Sequence, residues 1–228
     1  MLKDEVREQQ RKLKGATLKE KSAYVWEYYK WPILAVVVLT IAVIVFIVQY
    51  RSANRKKVLY GMLLNMGSSF DETAMVEDLN ELLGVDEQKE QVYFETMLTY
   101  EILSDGSASY NDRYTPIKIQ TQEGRKALDF IICDDNNIAA LCDGEYFLSL
   151  ETLCDMTDTM DYETLLSEYG EWIYYDVNDT PVGIMLPESN PLTECGATQG
   201  KTYYVCAALN TKHPQNVLTL IAYLTQAE

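Results

Sequence analysis

The chain has 228 residues and sets 35 Asp/Glu against 19 Lys/Arg, a formal net charge of −16. That balance excludes a surface built to neutralise nucleic-acid phosphates, which needs clustered Lys and Arg. One His, and five cysteines with no CxxC pair, exclude the usual spacing of a zinc site.

The charge is divided along the chain. Residues 1–57 hold 12 Lys/Arg and 5 Asp/Glu, a net of +7, whereas residues 58–228 hold 7 and 30, a net of −23. The first sixteen residues are very polar and end at Gly15. Thr17 and Glu20 have capping-box spacing, and SAYVWEYYKW follows without a breaker. The pattern predicts a juxtamembrane helix with aromatics toward lipid and lysines toward anionic head groups.

Residues 31–50 read WPILAVVVLTIAVIVFIVQY and carry no formal charge. At about 1.5 Å per residue a helix of this length covers about 30 Å, the hydrocarbon thickness of a bilayer. Pro32 stands where a helix can start, and Tyr28, Tyr29, Trp31 and Tyr50 stand where interfacial aromatics belong. A core helix is rarely apolar on every face, and a signal peptide ends in small residues rather than Gln49-Tyr50-Arg51. The run is therefore expected to cross a membrane once, uncleaved. Lys12, Lys14, Lys19, Lys21 and Lys30 lie before it; Arg51, Arg55, Lys56 and Lys57 lie after it. The eight basic residues of the whole leader favour a cytoplasmic N-terminus and an extracytoplasmic acidic domain. The expected organisation is a basic leader 1–30, a transmembrane helix 31–50, a basic spacer 51–57 and an acidic domain 58–228.

That domain is long enough for one core. VLYGMLLNM at 58–66 reads as a buried strand. Ser69 and Glu72 have capping-box spacing before a helix with Val76, Leu79, Leu82 and Leu83, stopped by Gly84. Val92, Phe94, Thr96, Leu98 and Tyr100 alternate as a strand does. A loop at 104–112 leads to Thr115-Pro116, a helix start, and Gly124 closes that helix. Another buried strand begins at 127, a short helix is expected at 138–141, and a strand at 146–150. Residues 161–169 read as a helix stopped by Gly170. EWIYYDV and PVGIMLP flank Asn178-Asp179-Thr180 as a hairpin. KTYYVCAALN is a further strand, and His213-Pro214 opens a closing helix with Val217, Leu218, Ile221 and Leu224. Strands alternating with helices predict an α/β domain, a mixed, mostly parallel sheet covered by helices on both faces.

Two resemblances follow. AYVWEYYKWPILAVVV resembles the juncture of a family of single-span proteins from Gram-positive, Clostridia-type bacteria, with a basic leader, one span and an extracytoplasmic domain. The outer domain resembles one lobe of an extracellular solute-binding protein. Leu128-Asp129-Phe130-Ile131-Ile132 matches an Asp-bearing strand, 144–148 a Gly and apolar-Leu element, Pro181-Val182-Gly183 a strand, and Lys212-His213-Pro214 through Leu224 the closing helix. Members of that group have two lobes with the ligand between them, whereas the resemblance here extends over one lobe and a one-lobe domain is expected. The resemblance implies a binding lobe with an exposed edge suited to a protein, peptide or glycan.

Asp134-Asp135-Asn136-Asn137 follows a buried strand, and ligand sites in open α/β sheets lie past the carboxyl ends of strands. The same run suits a turn and helix cap. Aromatics on a rim bind glycans or proteins, and Tyr174-Tyr175 and Tyr203-Tyr204 are such pairs, with one member of each facing a partner. The candidate binding residues are Asp134, Asp135, Asn136, Tyr174 and Tyr175. Asp155, Asp158 and Asp161 offer oxygen ligands without the EF-hand pattern, and no metal or other cofactor is expected. Cys133 and Cys206 suit the core, and one or two disulfides are open to an extracytoplasmic chain. His213 reads as a cap or surface residue, and no nucleophile elbow accompanies it. The expected function is a non-enzymatic, membrane-anchored binding or interaction module. Its partners would be the bilayer through 31–50 and an envelope protein or glycan, with no nucleic acid. The alternative is a structural or accessory subunit of a membrane transport or envelope complex.

Overall fold

The computed structural model describes residues 17–101 and 114–226. The polar leader 1–16 and the loop expected at 104–112 lie outside the described residues. The chain divides into two compact units, Met1–Asn54 and Arg55–Glu228.

Among the described residues of the first unit one helix, α1, runs Leu18–Ala53. It begins immediately after Thr17 and passes through Pro32, which therefore lies inside the helix and not at its start. Nothing upstream of Pro32 breaks the helix, so the aromatic juncture and the apolar run form one rod. Tyr29–Arg51, 23 residues, is long and apolar enough to cross a membrane, and none of it is buried.

The second unit is an α/β domain. Its elements are β1 (Lys56–Leu64), α2 (Thr73–Leu82), β2 (Glu90–Leu98), α3 (Tyr114–Gly124), β3 (Phe130–Asp134), α4 (Ile138–Asp143) and α5 (Leu150–Asp155). They continue with α6 (Tyr162–Tyr169), β4 (Ile173–Tyr175), β5 (Pro181–Met185), α7 (Pro191–Glu194), β6 (Tyr203–Ala207) and α8 (Pro214–Thr225). The six strands form one sheet in the order β2-β1-β3-β6-β5-β4. β1 is parallel to β2 and β3. β6 is antiparallel to β3 and β5, and β4 is antiparallel to β5. Four of the six strands therefore run the same way.

Strand side chains alternate between the two faces, and the core divides accordingly. Leu59 and Leu63 of β1, Phe130 and Ile132 of β3 and Val205 of β6 pack with Leu79 of α2, Leu153 of α5, Leu165 of α6 and Ile221 of α8. Tyr60, Met62 and Leu64, with Ile131, Cys133 and Cys206, pack with Ile119 of α3 and with Ile138 and Leu141 of α4. Helices thus cover both faces. In β2 the period-two pattern holds: Val92, Phe94 and Leu98 are buried while Met97 is almost fully exposed.

Local chemistry revises several expectations. Ser69 and Glu72 form no capping box. Asp71 instead accepts from the Thr73 N–H at 3.0 Å and the Thr73 hydroxyl at 2.6 Å. Gly84 has φ +62°, the left-handed stop that an L side chain resists. No strand forms at 146–150, where one bridge, Phe147 to Ala208, is all that pairs. Ser149 instead caps α5, its hydroxyl accepting from the Thr152 N–H at 3.1 Å. Ser149→Ala is expected to cost about 1 kcal/mol, read as a small fall in thermal midpoint. Asp176, through Oδ1, accepts from the N–H groups of Asn178 at 2.8 Å and Thr180 at 2.9 Å, closing the β4–β5 hairpin turn.

Candidate binding edge

The carboxyl ends of β1, β3 and β5 and the start of β6 share one edge of the sheet. Asn65 follows β1 in a left-handed conformation, φ +59°, which Asn tolerates better than most residues. Its side chain extends the β1–β2 ladder: Nδ2 donates to the Tyr100 carbonyl at 2.8 Å and Oδ1 accepts from the Tyr100 N–H at 2.9 Å. The same Nδ2 donates to Asp134 Oδ2 at 3.2 Å.

Asp134, the last residue of β3, is fully buried. Besides Asn65 it accepts from Asn137 Nδ2 and from the Lys201 ammonium. Lys201 lies just before β6 and keeps 30% of its side chain exposed. One carboxylate therefore ties together the ends of β1 and β3, the start of α4 and the approach to β6. A buried carboxylate is tolerable only with a countercharge and its lone pairs occupied, and both conditions hold. Asn137 Oδ1 is buried at the same place without a hydrogen-bond partner.

Asp135 and Asn136 are exposed in the turn directly after this clasp, with the Asp135 N–H fixed to the Thr202 carbonyl at 3.1 Å. Beside Lys201, the segments 185–190 and 199–203 line an open hollow of about 820 Å³. Tyr174 of β4 packs edge-on against Tyr204 of β6, with ring centroids 5.3 Å apart. Burial pushes the Tyr204 hydroxyl above its ordinary range, and the Asp135 charge adds to the shift. Asp134, Asp135 and Asn136 thus gather at one end of the sheet, while Tyr174 packs on Tyr204 over one sheet face. Tyr175 does not join them. It is 45% exposed, and its phenol pairs with Tyr162.

Sequence reasoning missed Asn65 and Lys201. Lys201 did carry a signal: it is the only Lys or Arg between Lys126 and Lys212. Asn65 carried only the turn-forming composition of Asn65-Met66-Gly67.

A second polar centre lies at the start of β3. Asp129 is buried. Its carboxylate accepts from the Tyr60 N–H at 2.9 Å, the Thr211 hydroxyl at 2.8 Å and the Lys212 N–H at 3.3 Å. His213 Nδ1 lies 3.1 Å from both Asp129 oxygens. His213 therefore makes no side-chain cap on α8, because its imidazole is turned to a buried carboxylate that outcompetes an exposed helix end. All five cysteines are free thiols. Cys133 and Cys206 are buried on neighbouring strands, and burial pushes the Cys142 thiol up to about 12. Asp161 caps α6, accepting from the Thr164 N–H at 2.7 Å. Among the described residues no group of three or more His, Cys, Asp or Glu side chains is arranged to hold a metal ion.

No family model matches the chain, and no curated protein matches it. Among solved structures, an ABC substrate-binding protein from Listeria monocytogenes, solved in complex with cycloalternan, is similar at 18% identity with a TM-score of 0.32. The similarity covers 59% of this chain and 29% of that one, so the chain spans less than a third of that protein's length.

Proposed function

We propose that the chain is a membrane-anchored, non-enzymatic binding module. Its α/β domain meets an extracytoplasmic protein or glycan at the edge carrying Asp135 and Asn136, and α1 crosses the bilayer once with the N-terminus inside. The observation that carries this reading is the clasp on Asp134. It fixes a solvent-facing acidic turn beside an open hollow, so the contact surface is set before a partner arrives and little ordering cost remains on binding. The absence of catalysis is supported by the chemistry of the candidate nucleophiles. Burial raises the Cys142, Cys154 and Cys195 thiols, which leaves little thiolate at neutral pH.

Two measurements test it. After alkaline washing, the full chain should stay in the membrane pellet and leave it only in detergent; a freely soluble chain overturns the anchor. Capture from solubilised membranes should recover a defined envelope protein or glycan. Asp135→Ala with Asn136→Ala should reduce that recovery by about tenfold, the loss of roughly 1.4 kcal/mol. Recovery that the double substitution leaves unchanged overturns the edge.

An accessory subunit of a membrane complex is the second reading. It is favoured by a shallow apolar hollow on α1 lined by Trp26, Lys30, Trp31, Ile33, Leu34 and Val37. Exchanging 31–50 for an unrelated apolar span separates the two: a binding module keeps its partner, and an accessory subunit loses it.

A further inference from the structure

We infer that Glu123 of α3 is a pH-sensitive latch on the closing helix α8, acting through the loop 208–213 that leads into it. Glu123 is 6% exposed. Its Oε2 accepts twice from Asn210, from the backbone N–H at 3.1 Å and from Nδ2 at 2.9 Å. Its Oε1 is buried without a hydrogen-bond partner. Three residues of the same loop, Thr211, Lys212 and His213, are held by Asp129. Two buried carboxylates, one from α3 and one from the start of β3, thus anchor one short connection.

The surrounding charges leave Glu123 without a countercharge. The charge acting on it is that of Asp129, which has the same sign. The His213 imidazole is turned to Asp129. Arg125 and Lys126, just beyond Glu123, and Lys212 on the loop are exposed. Asp155 and Asp158, from the end of α5 and beyond it, line with Lys212 and His213 a separate open hollow. From β1 comes only the Tyr60 N–H, and it goes to Asp129.

Burial, and secondarily the Asp129 charge, push the Glu123 carboxyl above its ordinary value against the pull of the Asn210 hydrogen bonds. A carboxyl raised in the folded state favours folding while protonated, and that contribution is lost as pH rises through the folded-state value. The latch is therefore tight while Glu123 is protonated and loosens as pH rises through its raised folded-state value, where Glu123 becomes a buried anion beside Asp129. The element it releases is α8, which contributes Val217, Leu218, Leu220, Ile221 and Leu224 to the core. The inference is independent of the membrane reading.

The test is amide hydrogen exchange on the full chain in detergent micelles from pH 5 to 8, corrected for intrinsic rates. Protection of α8 should fall by about fivefold more than that of β3 over this range. Glu123→Gln, which keeps shape and cannot ionise, should hold α8 at its acid-level protection and raise the thermal midpoint at pH 8. Asn210→Ala, which removes the side-chain donor to the ionised form and keeps the backbone N–H, should steepen the dependence. A Glu123→Gln profile that matches the parent, or equal pH dependence of α8 and β3, overturns the inference.

Discussion

Asp134→Ala is expected to lower the unfolding free energy by about 3–5 kcal/mol, the usual consequence of removing one partner from a buried ion pair. The ammonium of Lys201 and the amides of Asn65 and Asn137 would lose their common acceptor, and Asn137 already carries one buried oxygen without a partner. In a unit of this size each kcal/mol moves the thermal midpoint by about 2–4 °C, so the fall should be about 6–20 °C. Asp134→Asn keeps an acceptor oxygen and should lose less. Lys201→Met leaves the fully buried Asp134 carboxylate without its countercharge and should lose at least as much as Asp134→Ala, although the lysine itself is partly open to water. Asp135→Ala alters an exposed residue and should leave the midpoint nearly unchanged. Equal effects of Asp134→Ala and Asp135→Ala would show that the clasp does not hold this edge. The same contrast separates folding from binding, since partner capture should respond to Asp135 and Asn136 while stability responds to Asp134.

Most of the fold was legible because it rests on local periodicity. The apolar run at 58–66 reads as a strand buried on both faces, and the alternation from Val92 to Leu98 as a half-buried one. The spacing of Val217, Leu218, Ile221 and Leu224 marked one face of α8. Errors arose where a polar side chain chose between two local roles. Ser149 caps a helix that the apolar residues around it disguised as a strand, and Asp71 holds Thr73 in a turn where the spacing of Ser69 and Glu72 offered a capping box. The clasp was out of reach for a different reason. Asp134 meets Asn65 across 69 positions and Lys201 across 67, so only the completed sheet brings them together. Asp134-Asp135-Asn136 was found as a motif, but its division into a buried hub and an exposed turn depends on where β3 ends. The alternation of Tyr174 and Tyr175 was equally legible, whereas the packing of Tyr174 on Tyr204 and of Tyr175 toward Tyr162 was not.

Gly61→Ala is expected to be at least as damaging as the loss of Asp134, through packing alone. Gly61 sits in β1 between two strands, opposite Phe94 of β2 and Phe130 of β3. A Cβ at that position would stand 1.9 Å from Phe130 Cζ, with two more ring carbons at 2.3 and 2.4 Å. Phe130 is fully buried and packs edge-on against Phe94, centroids 5.6 Å apart at 80°, so its ring has no free volume to enter. Overpacking ordinarily costs 1–3 kcal/mol. Here a whole ring must leave its place, and a loss of about 3 kcal/mol or more is expected, a fall in midpoint of about 6 °C or more. The glycine that weakens a strand by propensity is therefore required by the aromatic ring lying over it. Phe130→Leu with Gly61→Ala should be more stable than Gly61→Ala alone, a coupling that neighbouring side chains show and distant ones do not. Gly124→Ala, where an added Cβ meets nothing within 4 Å, should be close to neutral. If Gly61→Ala melts with the parent and the double variant shows no rescue, the register of β1 against β3 is not the one described, and the edge built on the ends of those strands falls with it.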